Sequence, residues 1–222
     1  MSASENEPLP SWAGITEPMT VLTDVLLGGF AFILAARLGL HAAAEGVTAS
    51  SALAGGLLAT AISAMLGAIT HGLDPRTDGA ARERMWRAAL FMTGFVGTGT
   101  VAAVAFFAAR GSTRTAILVF AALKLVIYLI KVARRPDFRV AAADYGGALA
   151  ILLAGAVYAL VRWHMPGASW LIAGVAVSLI AGVVQARKLA LHRQLNHNDL
   201  FHLIQMVAVY MFYRGGAVLV DR

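Results

Sequence analysis

Seven apolar runs follow one another along this chain, each about the length that an α-helix needs to cross a bilayer, with only short polar breaks between them. Using charges, Pro and Gly as the breaks, the runs fall at 18–38, 51–73, 85–109, 115–133, 140–163, 169–186 and 199–219. With 222 residues, the chain has room for these spans and little else. The expected fold is therefore all-α, a single seven-helix transmembrane domain over 18–219, with a polar tail at 1–17 and a short tail at 220–222. Composition agrees. Only 14% of residues are charged against 59% hydrophobic, and mean hydropathy is +0.72; ordinary soluble domains carry roughly 25% charged residues.

The formal charge of +6 reads first as orientation rather than as a nucleic-acid surface. The loops on the N-terminal side carry Arg76, Arg82, Arg84, Arg87, Lys131, Arg134, Arg135, Arg139, Arg187, Lys188 and Arg193. The other side carries Arg37, Arg110, Arg114, Arg162, Arg214 and Arg222. Eleven against six favours a cytoplasmic N-terminus and an outward C-terminus, as in a multi-pass protein of the bacterial inner membrane. The first 17 residues are acidic and have no basic stretch before the first apolar run, so they do not read as a cleaved signal peptide. Thr16-Glu17-Pro18 reads as a helix start, since proline lacks the N–H that a first turn leaves unpaired. With no cysteine, any metal would have to be held by His, Asp and Glu.

Ionisable residues inside membrane spans are costly, so each is a functional candidate until a partner explains it. These are Asp24 in the first span, His71 ending the second, Lys124 in the fourth, Asp144 in the fifth, and Asp199 with His202 opening the seventh. All except Lys124 belong to the N-terminal side, given alternating helix direction. Lys124 needs a counter-ion, and Asp24 and Asp144 compete for that role. In the second span Gly55, Ala59, Ser63, Gly67 and His71 recur every four residues, a small-residue stripe that permits close helix approach. In the seventh, Asn198 and His202 are spaced i,i+4 and Asp199 and His202 i,i+3, so each pair shares a face; His197 lies about 140° away from His202. Asn198 or Asp199 also suits the N-cap of that helix.

The second-span SAMLGAITHG and the seventh-span HNDLFH resemble the CREST superfamily of heptahelical membrane proteins, which includes alkaline ceramidases and adiponectin and progestin receptors; an uncharacterised bacterial seven-helix family lies near it. The resemblance implies a zinc-dependent hydrolase of lipid amide or ester bonds, with His71 and His202 as zinc ligands and His197 or Asp199 as the third. Asp24 or Asp144 would supply the acid, with Ser63 nearby. The chain departs from that pattern in three places. Gly67 stands where the superfamily has a serine, Asn198 where it has the first histidine of HxxxH, and the third span holds no acid. Two other readings compete: a non-catalytic receptor or scaffold with a buried polar network, and a b-type haem protein with His71 and His202 as axial ligands. Retinal chemistry is disfavoured, because the seventh span has no lysine for a Schiff base. The partners expected are the bilayer and a lipid substrate, with no nucleic acid.

Overall fold

The computed structural model describes residues 11–12, 14–74, 76–192 and 195–222. The expected tail over 1–10, and Arg193 among the orientation charges, lie outside the described residues. A two-residue antiparallel pairing, Ser11–Trp12 with Ile15–Thr16, leads into seven helices: α1 (Pro18–Glu45), α2 (Thr48–Gly72), α3 (Gly79–Ala108), α4 (Gly111–Arg134), α5 (Phe138–Trp163), α6 (Ala168–Ala186) and α7 (His197–Gly216). Six of these, α1 to α6, are long and apolar enough to cross a membrane. The chain is thus built as a multi-pass membrane protein. Helix α7 falls short of that measure because His197, Asp199, His202 and Arg214 lie within its 20 residues.

Several helices run further than the apolar runs suggest. Helix α1 continues to Glu45, seven residues past the expected end, and stops at Gly46, whose φ of 67° is left-handed and free of Cβ strain. The start of α1 is as expected, with Pro18 in the first turn. Helix α7 begins at His197 rather than at Asp199. Asn196 is its cap: the Asn196 side chain accepts from the backbone N–H of Asn198 and Asp199, while Asp199 Oδ2 accepts from Asn196 N–H at 2.7 Å. This reciprocal capping box satisfies donors that the first turn would leave bare.

One core joins α1, α2, α3, α5, α6 and α7, around Leu38, Leu53, Phe107, Leu152, Leu171 and Val209. Helix α4 takes no part in it. It is held at the edge of the bundle by two small clusters, Leu90–Tyr128–Val132–Ala141 and Val101–Ala121–Ala148. Two polar contacts reinforce them: Tyr128 Oη donates to Leu90 O at 2.6 Å, and Lys124 Nζ lies 2.7 Å from Asp144 Oδ2. Lys124 therefore pairs with Asp144, not with Asp24. Gly97 of α3 makes room for that pair, since a Cβ there would stand 2.9 Å from Asp144 Oδ2 and 3.0 Å from Lys124 Nζ.

The small-residue stripe of α2 does not form one seam. A four-residue step overshoots the helical turn by about 40°, so Gly55 and His71, four steps apart, face directions about 160° apart. A Cβ on Gly55 would meet nothing, while the close helix crossing falls at its neighbour: a Cβ on Gly99 of α3 would lie 2.8 Å from Gly56 N. Only the lower part of the stripe, Gly67 and His71, turns toward α1.

Candidate functional site

The start of α1, the end of α2, the start of α3 and the start of α7 meet at one end of the bundle and carry most of its buried polar side chains. Asp24 and His202 are at its centre. His202 Nε2 is 3.2 Å from Asp24 Oδ1, and His202 Nδ1 is 3.1 Å from Thr23 Oγ1. Thr23 Oγ1 is also 3.1 Å from Thr20 O and 3.4 Å from Asp199 Oδ1. Asp24 is 3% exposed and Asp199 0%. The chain thus buries a carboxylate–imidazole–hydroxyl–carboxylate row between α1 and α7.

The row follows from spacing. Thr20, Thr23 and Asp24 lie i, i+3 and i+4 on α1, and Asp199 and His202 i, i+3 on α7, so each set occupies one face. Asn196 ties the two helices at their starts, its amide nitrogen 3.3 Å from Thr20 Oγ1. Across from them, Gly67 supplies space: a Cβ there would lie 3.0 Å from Asp24 Oδ2 and 3.1 Å from Oδ1. Asp24 Oδ2 is buried without a hydrogen-bond partner. A buried carboxylate oxygen without a donor is costly in low dielectric, so this atom marks a place where a proton or a small donor belongs.

A second group lies nearer the surface. His71 Nδ1 is 3.3 Å from Glu17 Oε1, a charge contact outside the angle of a hydrogen bond. Arg82 Nη2 lies 3.9 Å from the same oxygen, and Arg82 Nε donates to Thr70 O at 3.1 Å. Burial by itself would raise the Glu17 carboxyl, but His71, Arg82 and His197 outweigh it and hold the group below the usual glutamate range. Glu17 caps α1 with φ 51° and ψ 54°, a left-handed conformation that costs a non-glycine residue about 1–2 kcal/mol. These partners hold it there.

Of the expected site residues, Asp24, Asp199 and His202 come together, with His71 and His197 at the same end. Asp144 does not join them, being the counter-ion of Lys124. Ser63 does not either: its hydroxyl donates to Ala89 O at 2.9 Å and fastens α2 to α3. Asn198 turns toward α6 and accepts from Gln185 Nε2 at 2.8 Å. His71 pairs with Glu17 rather than only closing the end of its helix. No group of three His, Asp or Glu side chains among the described residues is placed to hold a metal ion. Both ring nitrogens of His202 already have protein partners, and Asp199 divides its oxygens between Asn196 and Thr23. As arranged, the donors do not fit the zinc that the resemblance implies.

Thr23 and Asn196 are the participants not anticipated from sequence. Asn196-x-x-Asp199 has the spacing of a capping box, and Thr20-x-x-Thr23-Asp24 that of a polar helix face, so both left a trace. A separate polar trio lies deeper: Gln205 Nε2 is 3.0 Å from Tyr145 Oη and 3.3 Å from Ser178 Oγ, linking α5, α6 and α7.

A model of a family described as being of unknown function, DUF6962, matches residues 19–221. No curated protein and no solved structure gives a match.

Proposed function

The chain belongs to the DUF6962 family, whose function is unknown, and we propose that it is a seven-span membrane protein whose working centre is the acid–base pair Asp24–His202. In this reading α7 crosses the bilayer with its polar face turned inward, and the site lies in the leaflet next to the N-terminal side. The pair exchanges a proton with that side. The observation that carries the reading is the choice open to the Thr23 hydroxyl.

With neutral imidazole, His202 Nε2–H faces Asp24 Oδ1 at 3.2 Å and Thr23 donates to Nδ1. With one more proton, Nδ1–H donates to Thr23, and the hydroxyl turns to Thr20 O or Asp199 Oδ1, both within 3.4 Å. The heavy atoms stay where they are. A site that holds or releases one proton without moving its neighbours is preorganised for proton transfer. Asp199, Asn196 and the Glu17–His71 contact continue the polar groups toward the bundle end.

The test is proton uptake by the full chain in nanodiscs after a pH step, followed with a soluble indicator. The native protein should bind about one proton more than Asp24→Asn or His202→Gln over the same pH step. Equal uptake by all three proteins refutes the reading.

A second reading rests on the order of the same groups. Thr23, His202 and Asp24 stand as hydroxyl, imidazole and carboxylate, the arrangement that activates a nucleophile. Thr23 Oγ1 would attack the carbonyl of a lipid ester or amide, His202 Nδ1 would take its proton and pass it to the leaving group, and water would release the acyl chain. Incubation with a lipid ester and a lipid amide tests this. Thr23→Ser should keep turnover and Thr23→Val abolish it; no product from the native protein removes the reading.

A further inference from the structure

At the opposite end of the bundle the chain leaves a small basic cavity of ≈ 320 Å³, lined by Arg110, Thr113, Tyr158, Trp163 and Arg222 among others. It stands between the end of α3, the start of α4 and the end of α5. No Asp or Glu side chain lines the cavity, and neither guanidinium forms an ion pair with the side chain of a described residue.

Arg222 is fixed in place. Its backbone N–H donates to Phe106 O at 2.9 Å, and its guanidinium lies 4.3 Å from the centre of the Trp163 ring, which is itself edge-on to Tyr158 at 5.0 Å. The neighbouring Asp221 anchors this segment from the other side: its carboxylate accepts from Thr48 N–H at 2.7 Å and Ala49 N–H at 2.8 Å. Asp221 is therefore spent on the start of α2 and does not neutralise Arg222. The Nε of Arg222 is buried and has no acceptor. A guanidinium is charged at every relevant pH and needs acceptors for its donors, so stacking on indole leaves it incomplete.

What completes it is an anion with several oxygens. Arg110 lines the same cavity and brings a second guanidinium, and Thr113 adds a hydroxyl. The first turn of α4 has no side-chain cap, so its N–H groups lack a side-chain acceptor. Tyr158 and Trp163 are the residue types that settle at headgroup depth. The volume suits a headgroup rather than whole acyl chains, since sites for drug-sized ligands begin near about 300 Å³. We infer that this cavity binds a phosphate group at the membrane surface, carried either by a phospholipid headgroup or by a free phosphate compound.

The test uses the full chain in detergent, titrated calorimetrically with short-chain phosphatidylglycerol, short-chain phosphatidylcholine and inorganic phosphate. Phosphatidylglycerol should bind, and Arg110→Gln and Arg222→Gln should each weaken it by about tenfold, the worth of one charge-assisted contact. Arg110 is exposed, so its variant keeps the native fold and the native melting temperature. Inorganic phosphate that binds and displaces phosphatidylglycerol supports the site with a free phosphate compound as its source; phosphate that does neither supports it with a lipid source. Equal binding of phosphatidylcholine and phosphatidylglycerol, or native affinity in both arginine variants, overturns the inference.

Discussion

Replacing Gly67 by alanine tests whether the space beside Asp24 is part of the site. The new Cβ would lie 3.0 Å from Oδ2, 3.1 Å from Oδ1 and 3.3 Å from Cγ, so the carboxylate must recede by a few tenths of an ångström. Asp24 Oδ1 is already 3.2 Å from His202 Nε2. Any such displacement disturbs that contact. Overpacking a buried site costs about 1–3 kcal/mol, and weakening a buried ion contact adds to it, so the loss should be about 2–4 kcal/mol.

Gly55→Ala is the matched control. It lies on the same helix, a Cβ there meets nothing within 4 Å, and alanine lowers the backbone entropy cost. Thermal unfolding of the full chain in one detergent compares the two. Gly67→Ala should melt about 5–10 °C lower, on a scale of about 2–4 °C per kcal/mol for a chain of this size, while Gly55→Ala should melt at or above the native temperature. Gly67→Ala should also lose the proton uptake assigned to Asp24–His202. If it melts like Gly55→Ala and keeps that uptake, the carboxylate is not held against α2, and the reasoning from its unpartnered oxygen fails.

Three further outcomes follow from other contacts. Asp144→Asn should lower stability by about 3 kcal/mol, because it strands the Lys124 charge, whereas Lys124→Met with Asp144→Leu should cost much less; a double-mutant cycle measured by unfolding would show this. Glu17 is held below its ordinary value, so the stability it contributes is complete above the unfolded glutamate range and lost as pH falls through the folded value. Melting temperature should therefore drop between about pH 5 and pH 3, and Glu17→Gln should flatten part of that drop. Chelation should leave the melt unchanged, because His202 and Asp199 already spend their donor atoms on protein partners; a clear fall in melting temperature with a chelator, restored by zinc, would contradict the geometry.

The helical fold and its six apolar spans were legible because their signal is additive. Each of these runs is about 20 residues of one character, so an error of several residues at a boundary, such as the extension of α1 to Glu45, does not change the helix. The site depends instead on single contacts, which the sequence specifies only by direction. Periodicity on one helix correctly aligned Asp199 with His202, but it could not say that Thr23 on α1 would stand between them. Nor could it choose between Asp24 and Asp144 as the partner of Lys124. That choice was made by Gly97, whose missing side chain opens α3 to both members of the pair.

The departure of position 198 from the HxxxH pattern has a structural counterpart. Asn198 lies on the flank of α7 that faces α6, where it accepts from Gln185 and contributes to helix packing. Its neighbour Asp199 is drawn into the cap with Asn196, and His202, one turn on, is left to Asp24 and Thr23. With Gly67 where a hydroxyl was expected, the carboxylate of Asp24 fills the space that a side chain on α2 would have taken. These positions fit one another. The amide at 198 turns to α6, the glycine at 67 admits an acid from α1, and the histidine at 202 pairs with that acid, so this end of the bundle holds a histidine–carboxylate pair where three converging ligands would have been needed for a metal.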